Sequence, residues 1–479
     1  MKRNWILTLL CVCLFAVAAL GETEFLPVLE TDGVTLAGEI TGNFVSLMPY
    51  DDVRLDELNG LLDHMSLNFS AKETADEKMT SIALLVNGDE AVGYTETVTE
   101  DGSSLALSCM KDTVYTTSGS ETASSQLLGE MSVYDFCGLE LADETILEDA
   151  VTLLYGLIDA YEGSMTIRSE SNQISGFTTA SKRKTLSIAS ADKEEFWQNL
   201  LSICPEGKLT DVLSSVKPGG KQTITLYTKD DGTVVKMTWT GRVSAEGGTA
   251  RDMSFTWRMI HRDDLIKDAV SLKTPCPEGK GTDYNTLTLE RKITIEGDKA
   301  VCDATWSYNT KISKKVSELS GEAKLTKVEG DGEMRLTGSV SSARKLPTDE
   351  ESHKLQLTVD LVIAPETPEI AGTVKADTYT GKKLQTAMDL VITLAADWTG
   401  DWVTDEGQLT TVQLETMDTG SLISLKEKIS RRMNKALLAR LVLLPKEDTL
   451  FLSRELTDKQ WMDIQDAAIS VMDAEYAAE

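Results

Sequence analysis

Histidine is nearly missing from this chain: His64, His261 and His353 are the only three in 479 residues. Scattered this widely, they offer no zinc-ligand spacing and leave a Ser or Cys triad short of bases. Cysteine is sparse too, seven in all, and none stands in a C-x-x-C pair. Ten Pro and 33 Gly are too few for a collagen-like or linker protein. Positive charge is in deficit, with 47 Lys and Arg against 77 Asp and Glu and a net charge of −30. Such a surface repels phosphate backbones, so no nucleic acid partner is expected. What is present, 41% hydrophobic and 26% charged residues, is the composition of a folded globular chain.

The first 21 residues have the layout of a secretory signal. Lys2 and Arg3 precede an apolar run from Trp5 to Leu20, and Ala19-Leu20-Gly21 supplies small residues for cleavage. Neither Cys11 nor Cys13 follows the small residue that a lipidation site requires, so the expected mature chain starts at Glu22 and is exported without a lipid anchor. No later run reaches the ~18–20 apolar residues of a transmembrane helix.

Five cysteines remain after the signal: Cys109, Cys137, Cys204, Cys276 and Cys302. Cys109 and Cys302 fall on apolar strand faces and read as small buried hydrophobes. Cys204 and Cys276 each open a near-identical octet, Cys-Pro-Glu-Gly-Lys-Leu-Thr-Asp and Cys-Pro-Glu-Gly-Lys-Gly-Thr-Asp. They are the candidate disulfide in an oxidising compartment, the alternative being two similar turns at element ends.

Two-residue alternation dominates the rest of the sequence. Leu384, Thr386, Met388, Leu390, Ile392, Leu394, Ala396 and Trp398 form one apolar face; Met253, Phe255, Trp257 and Met259 form another. So do Val235, Met237 and Trp239, then Cys302, Ala304, Trp306 and Tyr308, then Leu355 to Ile363. Strands buried on both faces would read as continuous apolar runs, so these predict antiparallel sheets with one face toward water. Asn87-Gly88, Asp101-Gly102, Asp231-Gly232 and Asp331-Gly332 supply hairpin turns between them.

Helices are predicted over 54–65, 143–161, about 192–202 with Asp192 and Glu195 as a capping box, 422–443, and from 457 to about 476. The expected fold class is mainly β (α+β): large curved antiparallel sheets of hairpin-connected strands, with helices packed on the apolar faces, in two modules. Lys217-Pro218-Gly219-Gly220-Lys221 marks the boundary. A helix-plus-sheet module would occupy 22–215, a long antiparallel β meander 216–418, and a C-terminal helical segment 419–479.

No motif fixes a reaction. Ser-x-x-Lys at Ser181, Ser214 and Ser342 occurs about as often as composition alone gives, and the Gly-x-Ser-x-Gly elbow and phosphate-binding glycine patterns are missing. No catalytic residue, metal or cofactor is therefore expected. The helix at 422–443 is basic and amphipathic, with Lys426, Lys428, Arg431, Arg432, Lys435 and Arg440 against Glu427. It is expected to pack on the sheet and pair its basic side with the protein's own acids; the alternative is an anionic surface.

The leading expectation is an exported, non-enzymatic binding protein holding an apolar or amphipathic ligand between a curved sheet and helices. Trp239, Trp257, Met259, Trp306 and Met433 are the candidate lining, although core packing is the simpler role for such residues on apolar faces. In architecture alone, with no residue motif behind it, this arrangement resembles the bacterial lipoprotein-carrier folds. The alternatives are a cell-envelope structural or adhesive protein with no ligand groove, engaging another envelope protein, and a carboxylate-based hydrolase.

Overall fold

The structure is a computed structural model that describes residues 35–455 and Met462, except 75–76, 111, 119–121, 129–143, 205–213, 215, 246–249, 277–282, 314, 331, 365–368 and 396–409. The signal segment, Cys137, Trp398 and the helix expected after residue 457 lie outside the described residues.

In chain order the first elements are β1 (Thr35–Leu47), α1 (Asp52–Leu62), β2 (Met65–Glu73), β3 (Glu77–Val86), β4 (Asp89–Thr99), β5 (Gly102–Leu107), β6 (Thr113–Ser118) and α2 (Ala123–Leu128). Next come α3 (Glu144–Tyr161), β7 (Thr166–Gln173), β8 (Thr179–Ile188), α4 (Lys193–Ile203), β9 (Val216–Pro218), β10 (Gln222–Thr228), β11 (Val234–Ala245) and β12 (Arg251–Arg262). A run of long strands follows: β13 (Leu265–Pro275), β14 (Tyr284–Glu296), β15 (Lys299–Ile312), β16 (Lys315–Gly330) and β17 (Glu333–Lys345). The chain continues through β18 (His353–Ala364), β19 (Glu369–Thr380), β20 (Lys383–Ala395), β21 (Thr410–Gln413), α5 (Thr419–Leu441) and α6 (Leu450–Glu455).

The alternation in the sequence becomes alternation in burial. Along β18, Leu355, Leu357, Val359, Leu361 and Ile363 are buried while the residues between them face outward. Between β3 and β4, Asn87 and Gly88 both take positive φ, +52° and +85°, the pair of left-handed residues that a tight hairpin needs. Asp101-Gly102 differs: a Cβ on Gly102 would lie 2.0 Å from the Thr117 carbonyl, so the glycine also admits the neighbouring backbone.

Among the described residues, all 21 strands join one open sheet. From one edge the order is β21, β6, β5, β4, β3, β2, β1, then β20 back through β11, then β10, β8 and β7. Every pairing is antiparallel except β21 with β6. The expected division at residue 215 does not divide the sheet, because β8 pairs with β10 across it and β1 pairs with β20. The Pro-Gly-Gly signal is local: Val216–Pro218 is itself a strand, paired with β11.

One sheet face carries the core, in two large parts. Leu153, Leu154 and Leu157 of α3 and Phe196, Trp197 and Leu200 of α4 share a cluster with residues of β8 and β10–β15. Leu58 and Leu62 of α1 share the other with residues of β1–β4 and β14–β20. Asp51 and Asp418 cap α1 and α5, accepting from the backbone N–H of Arg54 and Ser421 at 3.0 and 2.9 Å. The capping box expected at Asp192 does not form; that side chain makes no cap bond.

The opposite face is polar. Cross-strand register lines up Lys292, Asp303 and Lys324, and a row of hydroxyls runs Thr225, Thr238, Thr256, Ser271, Thr288, Ser307 and Ser320 across seven strands. Arg335 grips Asp360 through two bonds of 2.9 and 2.8 Å, and both side chains are exposed.

Candidate functional site

The residues expected to line a groove are core. Trp239, Trp257, Met259 and Trp306 are 5%, 1%, 6% and 3% exposed and share the cluster containing α3 and α4. Trp239 packs edge-on against Phe196 and donates its indole N–H to the buried Gln222 at 3.0 Å. Trp306 lies over Gly321, where an added Cβ would sit 2.1 Å from the ring. Met433, half-buried on α5, packs against two other clusters. Trp239, Trp257, Met259 and Trp306 are thus buried in one apolar cluster that also contains residues of α3 and α4.

The cysteine expectation is corrected. Cys276 carries a free thiol at the end of β13, so no bridge to Cys204 is formed. Cys204 is drawn into the apolar cluster with α4. Main-chain bonds hold Cys276 instead: its N–H donates to the Asp283 carbonyl and its own carbonyl accepts from Arg251.

The most concentrated polar chemistry sits where the two large clusters meet. On the core face, β13 presents Ile266, Asp268 and Val270, and β14 presents Leu289, Arg291 and Ile293 in register with them. Ile266 and Ile293 belong with one cluster, Val270 and Leu289 with the other, and Asp268 and Arg291 stand between. Asp268 is 1% exposed. Its Oδ1 accepts from Trp257 Nε1 at 3.0 Å and His261 Nε2 at 2.8 Å, and its Oδ2 accepts from Arg291 Nε and Nη2 at 3.2 and 3.0 Å. Burial pushes this carboxyl up, but the His261 hydrogen bond, the Arg291 and His261 charges and the Trp257 bond outweigh it and hold it below the ordinary carboxylate value. A carboxylate saturated by four donors and held ionised is the opposite of a general acid, which must stay protonated. The signal for this cluster was legible, since one acid and one base interrupt neighbouring apolar faces at matched positions, but the register joining them was not.

Other buried acids are likewise engaged. Glu96 accepts from Ser124 N–H and Oγ at the start of α2, and Asp283 accepts from Ser313 N–H. Among the described residues, no group of three or more His, Cys, Asp or Glu is arranged to hold a metal. A hollow of about 90 Å³ lies at the turn end of β13–β16, lined by Ile266, Ile293, Ile295, Ala300, Lys327 and Glu329. Pockets for small molecules run to roughly 300–1,000 Å³, several times larger.

No family model matches this chain. No curated protein matches it either. Among solved structures it is similar to the outer-membrane-expressed OmpT of Vibrio cholerae, at 10% identity over 77% of this chain and 99% of that one, with a TM-score of 0.26. It is also similar to OccK3 of Pseudomonas aeruginosa, at 8% identity over 76% of this chain and 96% of that one, with a TM-score of 0.27. At these scores the likeness carries nothing about location or activity.

Proposed function

We propose that this is an exported cell-envelope protein that acts by presenting surfaces to other envelope components, without turnover and without an internal ligand. The observation that carries the reading is the burial of the apolar face: Trp239, Trp257, Met259 and Trp306 are buried in one cluster with residues of α3 and α4. The hollow beside β13–β16 is too small for a lipid tail and headgroup. The polar face supports the same reading. A lipid-facing barrel wall carries an apolar band, whereas the face opposite the core here presents the exposed ion pairs Arg335–Asp360 and Lys375–Asp389. Such a face is suited to water and to polar macromolecules.

Fractionation of the native host tests the location, combined with labelling of intact cells by an amine reagent that does not cross membranes. Recovery in the envelope or exported fraction, with lysines such as Lys324 and Lys375 labelled, is the expected result. Recovery in the cytoplasm with no label would overturn the reading.

A further inference from the structure

The basic side of α5 meets only half of its expectation. The apolar side is packed: Ile429, Ala439 and Leu441 are buried, and Leu422, Leu425, Met433 and Leu437 contact the clusters. The basic side stays outside. Lys428, Arg431, Arg432 and Lys435 are all exposed. Their spacing of i, i+3, i+4 and i+7 puts them within an arc of about 100° on the helix. Glu427 is the only acid on α5, and it pairs with Arg431 at 3.6 Å between two exposed side chains. Arg432 reaches the Cys109 carbonyl and Met110 Sδ, which are not acids. Among the described residues no acid pairs with Lys428 or Lys435.

A chain of net charge −30 thus keeps a strip of four cations, spanning about two turns, facing solvent. We propose that this strip docks the protein on a bilayer surface containing anionic lipid. Complementary charge names the partner, and shape narrows it: a convex helix flank brings all four cations onto a flat surface at once. The apolar side of α5 is already consumed by the protein, so attachment is electrostatic adsorption and not insertion. The remaining negative charge does not prevent it, because charges farther than the ~10 Å Debye length at 0.1 M salt are screened from the contact. Each cation close to an anionic surface favours binding roughly fivefold.

The proposal extends the envelope reading by naming the surface that is met. Vesicle flotation tests it, using the full chain with phosphatidylcholine vesicles that do or do not contain about one-third phosphatidylglycerol. The expected result is flotation with the anionic vesicles only, released by high salt. The variant K428Q/R431Q/K435Q, which spares Arg432 and its contacts, should lower partitioning on the order of 100-fold. A control variant, K292Q/K324Q/K375Q on the polar sheet face, loses the same charge and should bind as the wild type does. Circular dichroism confirms that both variants fold. Equal binding to neutral vesicles, no flotation of the wild type, or equal loss in the two variants would each overturn the proposal. None of these outcomes alters the fractionation result, so the two readings fail separately.

Discussion

At Asp268 four donors converge on one buried carboxylate, and the energetic consequence follows from what removal would leave behind. Asp268→Asn keeps the shape but strips the countercharge from Arg291, which is itself mostly buried. Breaking a buried pair on one side costs about 3–5 kcal/mol, so denaturant unfolding should show a loss of that size at neutral pH. The pH dependence has a definite sign. The folded carboxyl is held below its ordinary value, so its contribution is fully present above the unfolded pKa of about 3.9 and is lost as pH falls through the folded value. The gap between wild type and variant should therefore narrow in acid. A gap that stays constant down to the acid transition would show that charge is not what the site contributes.

Between elements, His64 links the end of α1 to two turns. Its Nδ1 donates to the Asn87 side chain at 2.8 Å and its Nε2 to Asp448 at 2.9 Å, tying the β3–β4 turn to the α5–α6 connection. The Asn87 bond, then the bond and charge of Asp448, raise the imidazole above its ordinary value despite partial burial. Its contribution is fully present below the unfolded pKa of about 6.5 and is lost as pH rises through the raised folded value. Hydrogen exchange over residues 441–455, corrected for intrinsic rate, should speed up as pH rises through that value. In Asp448→Asn the pH-dependent part should shrink; an unchanged profile would remove His64 from the account. This is also the scale at which the sequence was most and least legible. Alternation predicted β12, β18 and β20, and apolar periodicity predicted α3 and α5, because each pattern is local to one element. Pairings across hundreds of residues were not legible: β1 with β20 and His64 with Asp448 depend on which element the chain brings alongside. The depth at which Trp239, Trp257 and Met259 are buried was not legible for the same reason, since an apolar strand face reads the same whatever covers it.

For the whole molecule, one sheet face carries the apolar core, the other presents charged and hydroxyl side chains, and α5 adds a cationic strip. On the proposed reading, this division of surfaces makes a wide antiparallel sheet a platform and not a container. The central claim, that the interior is filled by the chain itself, is tested most directly by native mass spectrometry of protein purified from its own host, followed by organic extraction under denaturing conditions. The account predicts the bare mass of the chain and an extract with no apolar molecule at fixed stoichiometry. A reproducible bound lipid or other apolar compound that survives gentle purification and is released only on unfolding would contradict it.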